Sequence, residues 1–122
     1  MDTLMADKLS GELLRGSLDL MVLSVLADGP KYGYLIQQRL RDGSRQMVDV
    51  QAGTLYPLLH RLEDEKLVKP KWDVSTGRRR KWYELTAAGR KRLEQQTNQW
   101  HEYVECLREF LGPLRNTEPR PV

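Results

Sequence analysis

The chain is poor in cysteine, histidine and phenylalanine, and it has no long apolar run. Its 122 residues include one cysteine, two histidines and one phenylalanine. The single cysteine, Cys106, has no partner for an internal disulfide, and His60 and His101 are not spaced as a metal-binding set. The longest apolar stretch, residues 18–27, is interrupted by two polar residues and is too short to cross a bilayer. We therefore expect no disulfide, no bound metal and no membrane span.

Sequence signals for catalysis and for export are missing as well. The sequence contains no glycine-rich phosphate-binding loop and no serine nucleophile elbow, so we expect neither an enzyme nor a bound cofactor. The chain opens without the charged start, apolar run and small-residue cleavage site of a secretory signal. We therefore expect the protein to act in the cytoplasm.

Charge is distributed unevenly along the chain. The formal net charge is only +3, but residues 66–92 hold ten lysines and arginines against two acidic residues. That segment carries +8, and the rest of the chain carries −5. A concentrated basic segment is either a solvated charged surface or the binding face for a polyanion, most often a nucleic acid. Charge alone leaves both alternatives open.

The first half of the chain shows helical periodicity, and the whole length suits one compact domain. A lead-in, residues 1–15, carries a short leucine stripe. Ser17 is expected to cap a first helix, which the Asp-Gly-Pro run at residues 28–30 ends. A second helix is predicted over residues 32–41. A short extended piece at residues 47–50 follows it.

The third helix is predicted to run from Ala52 to about Lys66, with leucines on its buried side. Pro57 is awkward inside a helix. It fits if Thr54 is the N-cap and Pro57 lies in the first turn, where a missing N–H has no intrahelical acceptor to leave unpaired.

A β-hairpin and one long helix complete the pattern. Residues 68–74 alternate with period two, residues 75–77 supply a turn, and residues 81–85 form a second extended run. A long helix then follows over residues 87–111, and the Gly-Pro pair at residues 112–113 is expected to end it. The fold class is therefore mainly α with a small β-hairpin. It is a winged helix-turn-helix followed by one long C-terminal helix.

Four sequence blocks, in order, carry a family resemblance. They are residues 14–19 (LRGSLD), 29–34 (GPKYGY), 53–59 with 61–63 (GTLYPLL, RLE), and 77–86 (GRRRKWYELT) with Gly89 and Arg90. Together they resemble the PadR family of bacterial transcriptional regulators over roughly residues 12–92. The single long helix after the hairpin is similar to the short subgroup of that family. The resemblance implies a DNA-binding homodimer.

The resemblance makes the third helix the recognition helix, and its exposed front is expected to face the major groove. The residues expected there are Gln51, Thr54, Tyr56 and His60, with Arg61 further back. Thr54 is alternatively a plain helix cap, and His60 alternatively a solvated surface residue. The resemblance also assigns Tyr32 to DNA. Tyr34 either contacts DNA or fills the space between two helices.

The basic hairpin, here called the wing (residues 71–81), carries the strongest charge signal. Its expected phosphate contacts are Lys71, Arg78, Arg79, Arg80 and Lys81. The consecutive cations at its tip outnumber the two carboxylates of the hairpin, so DNA phosphate is their natural counterpart. The hairpin aromatics Trp72, Trp82 and Tyr83 are instead expected to pack into the domain, because duplex DNA offers no unstacked base face.

The long last helix carries apolar rows spaced seven residues apart. The predicted dimer face comprises Leu93, Gln96, Trp100, Tyr103, Val104, Leu107, Phe110 and Leu111. One small domain cannot bury all of this face, so a second copy is expected to cover it. The alternative is a helix folded back on its own domain. Trp100 is either packed core or, as some members of the resembled family imply, the wall of a cavity for a flat aromatic ligand.

These expectations combine into a homodimeric repressor that reads a palindromic operator with residues 52–66 and the wing, released by a small aromatic effector. The predicted division is a lead-in (1–15), a winged-helix domain (16–86), a dimerisation helix (87–112) and a flexible tail (113–122). The alternative function is a ligand-binding or protein-adaptor module that kept the winged helix without sequence-specific DNA readout.

Overall fold

The computed structural model describes residue 14, residues 16–75 and residues 77–115, with side chains as far as residue 112. The leucine stripe expected before residue 14 and the tail expected after residue 115 lie outside the described residues. Within the described ranges, no helix is both long and apolar enough to cross a membrane.

The described residues form four helices and three strands, in the order predicted for a winged helix apart from the short strand. They are α1 (Leu18–Val25, continued by a 3₁₀ turn at Leu26–Asp28), β1 (Lys31–Tyr32), α2 (Gly33–Gly43), α3 (Ala52–Asp64), β2 (Val68–Asp73), β3 (Arg80–Leu85) and α4 (Ala87–Arg115). The predicted fold class is thus confirmed.

A single hydrophobic core lies between α1, α2, α3 and the sheet. The leucines of α3 that recur at helical spacing are buried, as predicted, and Val22 and Leu23 of α1 are completely inaccessible to solvent. Tyr83 is the one aromatic residue that belongs fully to this core, at 2% exposure. The core therefore fixes one face of α3 and leaves its opposite face free.

The sheet has the order β1-β3-β2 and is antiparallel throughout. In the predicted hairpin, Val68 lies opposite Leu85 and Asp73 opposite Arg80. Gly77 has a φ of 82°, which the turn requires and which glycine adopts without strain. The Asp73 carboxylate accepts a hydrogen bond from the Ser75 backbone N–H, which lowers the pKa of Asp73.

The short extended piece was predicted in the wrong place, since residues 47–50 are not part of the sheet. Two side chains take up their backbone groups instead. Val48 N–H donates to Ser44 Oγ at 2.8 Å, and the Gln37 amide donates to the Val50 carbonyl at 2.8 Å. The short strand is β1, which pairs with the free edge of β3 just before α2 begins.

The long helix α4 begins where predicted and ends later than predicted. Thr86 Oγ1 accepts a hydrogen bond from the Gly89 backbone N–H at 2.9 Å, which is the expected N-terminal cap. The helix then continues through residues 112 and 113 to Arg115, so the Gly-Pro pair does not end it. Glu109, whose carbonyl loses its usual bond at Pro113, is exposed, so water can satisfy that carbonyl.

Candidate nucleic-acid interface

The N-terminus of α3 is open to solvent. Residues 51–54 are all exposed, and nothing lies within 4 Å of the position that a Cβ on Gly53 would take. Gln51 is the N-cap, and its backbone carbonyl accepts the N–H groups of Thr54 and Leu55 at 3.0 and 2.9 Å. The preceding N–H groups have no intrahelical acceptor, so this helix end can bind an anion such as phosphate.

Two predictions about this helix start are wrong. Thr54 is not the cap, because the helix begins at Ala52, two residues before it, and its backbone N–H is already bonded to the carbonyl of the N-cap, Gln51. Pro57 therefore lies in the second turn and not in the first. Its missing N–H leaves the Gly53 carbonyl without its usual helical partner, a loss that is tolerable on an exposed face.

The face of α3 that lies opposite its buried leucines consists of small or polar residues at helical spacing. Gly53, Pro57, His60 and Asp64 follow one another along this face, and all are exposed. Gly53 and Pro57 make the front half of the face flat, which permits a close approach of another surface to the helix backbone. His60 is the first side chain on it with a hydrogen-bonding group that can reach outward.

Tyr56 lies at the edge of this face and is only partly available, at 37% exposure. Its ring covers Gly33, the first residue of α2. A Cβ placed on Gly33 would lie 2.1 Å from Tyr56 Oη. Tyr56 therefore joins α3 to α2. Its phenol can contact DNA only while the ring stays packed on Gly33.

The Gly33–Tyr56 contact predicts the effect of a methyl group. Gly33→Ala is expected to lower the free energy of unfolding by about 1–3 kcal/mol, because the Tyr56 ring must move. In a Tyr56→Ala background the same change should be neutral or slightly stabilising, since alanine favours a helix over glycine. Chemical denaturation of the four proteins measures both values. Gly43→Ala, in the same helix with free space around it, is the control and should not destabilise; equal losses in both backgrounds would contradict the contact.

Arg61, which was predicted to face the groove from further back on α3, has a partner within the protein. Its guanidinium donates two hydrogen bonds to the Asp19 carboxylate of α1, at 2.9 and 2.8 Å. This bidentate bond raises the pKa of Arg61 further above its ordinary value. Arg61 therefore holds α3 against α1 and sets the orientation of the exposed face.

A second ion pair holds the wing against α3. Lys81 Nζ of β3 donates to Glu63 Oε1 near the end of α3, at 3.1 Å. Partial burial lowers the pKa of Lys81, but the bond to Glu63 and the interaction with Tyr83 together outweigh it, so the pKa lies above its ordinary value. Burial also raises the pKa of Tyr83. Lys81 thus has a carboxylate partner outside the hairpin, whereas the sequence argument considered only the two carboxylates within it. This ion pair fixes the angle between the wing and α3.

Two of the three wing arginines rest on aromatic rings. The Arg79 guanidinium lies 4.2 Å from the centre of the Trp72 ring, and that of Arg80 lies 4.5 Å from the centre of the Tyr32 ring. Tyr32 in turn packs edge-on against Trp82, with ring centres 5.0 Å apart. Of the three hairpin aromatics predicted to be core, only Tyr83 is fully buried, whereas Trp72 is 50% exposed.

The other wing cations differ in how they are neutralised. In the part of the chain that the structure describes, Lys71, Arg78 and Arg79 form no ion pair, and all three are exposed. Arg80 faces Asp73 across the hairpin and contributes to lowering the pKa of that carboxyl. Tyr34, at the start of α2, is 56% exposed and does not fill a space between helices.

The predicted dimer face on α4 divides into a packed half and an exposed half. Leu93 packs against the domain core, and Trp100 lies in a groove between α4, α1 and the end of α2 with a volume of about 390 Å³. Beyond Trp100, four large apolar residues in the described part of α4 are exposed. Their exposed fractions are 52% for Tyr103, 37% for Val104, 72% for Phe110 and 49% for Leu111. Gln96 and Leu107 are partly buried, and Gln96 Oε1 has no hydrogen-bond partner among the described residues.

Comparison with known protein families identifies the fold and its class of function. The model of the transcriptional regulator PadR-like family matches residues 22–95, which include α2, α3 and the wing. The chain belongs to the PadR-like family. As a PadR-like transcriptional regulator, it acts in DNA-binding regulation.

Individual PadR-like relatives match over most of their length. The transcriptional regulator Rv3488 of Mycobacterium tuberculosis is 38% identical over 106 residues, 87% of this chain and 94% of that protein. A solved transcriptional regulator from Clostridium thermocellum has a TM-score of 0.77 at 29% identity, covering 83% of this chain and 99% of its own. A PadR family regulator from Eggerthella lenta has a TM-score of 0.69 at 38% identity, covering 88% of each chain. The winged helix and most of α4 are therefore part of the shared PadR-like fold.

The roles of three residues that shape this PadR-like surface were not predicted from the sequence. Asp19, Glu63 and Gly33 each position a residue of the predicted interface and do not lie on it themselves. A carboxylate at position 19 within an otherwise apolar helix is a signal that could have pointed to an interhelical ion pair. Glu63 and Gly33 carry no such signal, because Glu63 belongs to an acidic run at the end of its helix and Gly33 has no side chain.

Proposed function

We propose that the protein is a homodimeric transcriptional repressor that reads a palindromic operator with residues 52–66 and the wing. The observation that carries this proposal is the set of exposed wing cations without a carboxylate partner among the described residues, Lys71, Arg78 and Arg79. A phosphate backbone supplies the missing anions, and neutralising phosphates releases condensed counterions. Arg80, which faces Asp73 across the hairpin, adds further positive charge at the base of the tip.

Specificity in this proposal comes from the exposed face of α3. Gln51 and Thr54 stand at its open N-terminus, where free N–H groups favour phosphate, and His60 lies one to two turns further on. The flat front at Gly53 supports a close approach to DNA. Tyr56 and Tyr34 contribute phenols from either side, and Tyr32 lies behind Arg80. Lys81 is held by Glu63, so its main role here is to position the wing.

The dimer in this proposal forms through the exposed end of α4. Its uncovered apolar residues form a continuous row on one side of the helix, which is typical of a helix that packs against a partner. A twofold dimer presents its two recognition helices about 34 Å apart, one turn of B-DNA. The palindromic operator follows from that symmetry. The repressor role comes from the family resemblance.

Release by a small aromatic effector is the regulatory part of the proposal. The groove beside Trp100 has a volume of about 390 Å³ and apolar walls that include Met21, Val25 and Leu93, which suits a flat ligand. Titrating planar aromatic compounds while following tryptophan fluorescence tests this part. No change with any compound, at concentrations up to solubility, would contradict it.

Single variants in the wing and in α3 test the proposed DNA binding. Arg79→Ala is expected to weaken binding to operator and scrambled duplexes by the same factor and to reduce the slope of log affinity against log salt by about 1.8, which is about 0.9 for each subunit of the dimer. His60→Ala is expected to lose about 1–3 kcal/mol on the operator only. Fluorescence anisotropy between 50 and 200 mM salt measures both.

Arg108→Ala, an exposed arginine of α4, is the matched control and should leave the salt slope unchanged. An adaptor module without DNA readout would show little salt dependence with any duplex. Equal slopes for the Arg79 variant and the parent would contradict the phosphate contact.

A further inference from the structure

The three consecutive arginines of the wing tip differ in their contacts with the rest of the protein. Arg78 is exposed and makes no hydrogen bond, ion pair or ring contact with any residue that the structure describes. Arg79 lies over the Trp72 ring at 4.2 Å, and Arg80 over the Tyr32 ring at 4.5 Å. One arginine is thus free to move while its neighbour is stacked on a ring.

Trp72 is placed as a support for cations and not as part of the core. Half of its surface remains exposed, although tryptophan gains more than most side chains from burial. It lies directly opposite Lys81 in the hairpin, and Lys81 Nζ is 5.9 Å from its ring centre. Two cations therefore flank a ring that contributes little to the core. Lys81 is itself anchored by Glu63, so the position of the ring is defined relative to α3.

A stacked guanidinium keeps its hydrogen-bonding edge free. Cation–π contact uses the face of the planar group, whereas its five N–H donors point outward in the plane. Arg79 on Trp72 can therefore still donate two hydrogen bonds to a phosphate. Because the side chain is already ordered, less conformational freedom is lost when the phosphate binds.

We propose that Trp72 is a positioning residue that holds Arg79 ready for a DNA phosphate and so raises affinity without touching DNA. This inference rests on the proposed DNA-binding function. It predicts that Arg79 contributes more to affinity than Arg78, although both are arginines at the same tip. It also predicts that the contribution of Trp72 disappears when Arg79 is absent.

A double-mutant cycle on the full-length protein tests the proposal with one 20-base-pair duplex carrying the operator. Trp72→Ala is expected to weaken binding about tenfold to 100-fold, the effect of ordering one long side chain in each of the two subunits. In an Arg79→Ala background the same change should alter affinity less than twofold. In an Arg78→Ala background its full effect should remain, which makes Arg78 the matched control.

Two further substitutions separate stacking from hairpin structure. Trp72→Phe keeps an aromatic face and should bind within about twofold of the parent, whereas Trp72→Leu keeps bulk but has no ring and should behave like Trp72→Ala. The salt slope should be unchanged in all three, because the phosphate contact is still made. Arg79→Ala should lower that slope by about 1.8, about 0.9 for each subunit. Circular dichroism melting confirms that each variant is folded.

Three outcomes would overturn the proposal. Equal losses from Trp72→Ala in the parent and Arg79→Ala backgrounds would mean that Trp72 acts through hairpin structure or by direct contact. Parent-like binding of Trp72→Ala, or of Trp72→Leu, would mean that the ring has no role. If the parent protein binds no duplex at 50 mM salt, the proposed DNA-binding function itself is wrong. That result differs from the first two, in which the parent binds DNA and only the role of Trp72 is wrong.

Discussion

Phe110→Asp is expected to yield a folded monomer that binds a twofold operator about 100-fold or more weakly than the parent. Phe110 is 72% exposed in the single chain, so its loss removes no core packing. In a dimer through α4, the aspartate would place an unpaired charge in an apolar interface. Two linked half-sites typically gain a factor of 10² or more over one, and the monomer forgoes that gain.

Light scattering and operator binding together measure this outcome. Asn98→Asp introduces the same charge on a polar, exposed side of the same helix and is the control, expected to remain dimeric. Phe110 is a better probe than Trp100, because Trp100 also packs in a groove of its own domain. A Phe110 variant that scatters as a dimer would place the interface elsewhere, and a monomer with parent-like operator affinity would contradict the role of dimerisation.

Gly89→Ala is expected to lower the free energy of unfolding by about 3 kcal/mol, at the upper end of the cost of overpacking. A Cβ on Gly89 would lie 2.0 Å from the Leu67 carbonyl oxygen and 2.8 Å from a methyl group of Leu85. The first obstacle is backbone and has no rotamer to change. The first turn of α4 would have to move away from the loop that precedes β2.

That movement would also break the cap of α4. Thr86 Oγ1 donates to the carbonyls of Lys66 and Leu67 at 2.7 and 3.0 Å and accepts from Gly89, so it joins both segments. Chemical denaturation at one fixed protein concentration measures the loss, since dimerisation makes stability depend on concentration. Gly53→Ala, with no neighbour within 4 Å, is the control and should unfold like the parent. A Gly89 variant as stable as the parent would contradict the close packing.

The helices and the wing could be predicted because their sequences carry periodic patterns of apolar residues. Leu55, Leu58 and Leu62 recur at helical spacing and are all buried in the structure. The sequences of the hairpin strands alternate and are joined by a glycine with positive φ, although burial alternates only at Tyr83 and Leu85 of β3. The exposure of Gln51, Thr54 and His60 followed from the same periodicity, because these positions lie outside the leucine stripe.

The remaining features depend on contacts between elements and leave no local signal. Asp19 and Arg61 are 42 residues apart, so nothing in the neighbourhood of Arg61 indicates that it faces α1. A strand of only two residues, Lys31–Tyr32, is too short to show alternation. Trp72 was predicted to be core because duplex DNA offers no unstacked base face, but here it lies beneath a wing arginine.

Our central proposal is that two copies of the chain bind one DNA duplex through the wing and the N-terminal part of α3. Selection from a random duplex pool at 50 mM salt, followed by hydroxyl-radical footprinting of the recovered site, tests it most directly. We expect a twofold repeat whose half-sites lie about one helical turn apart, with backbone protection that weakens at the flanks in Arg79→Ala. A pool that shows no enrichment, or a recovered site without twofold symmetry that is protected only once, would contradict the account.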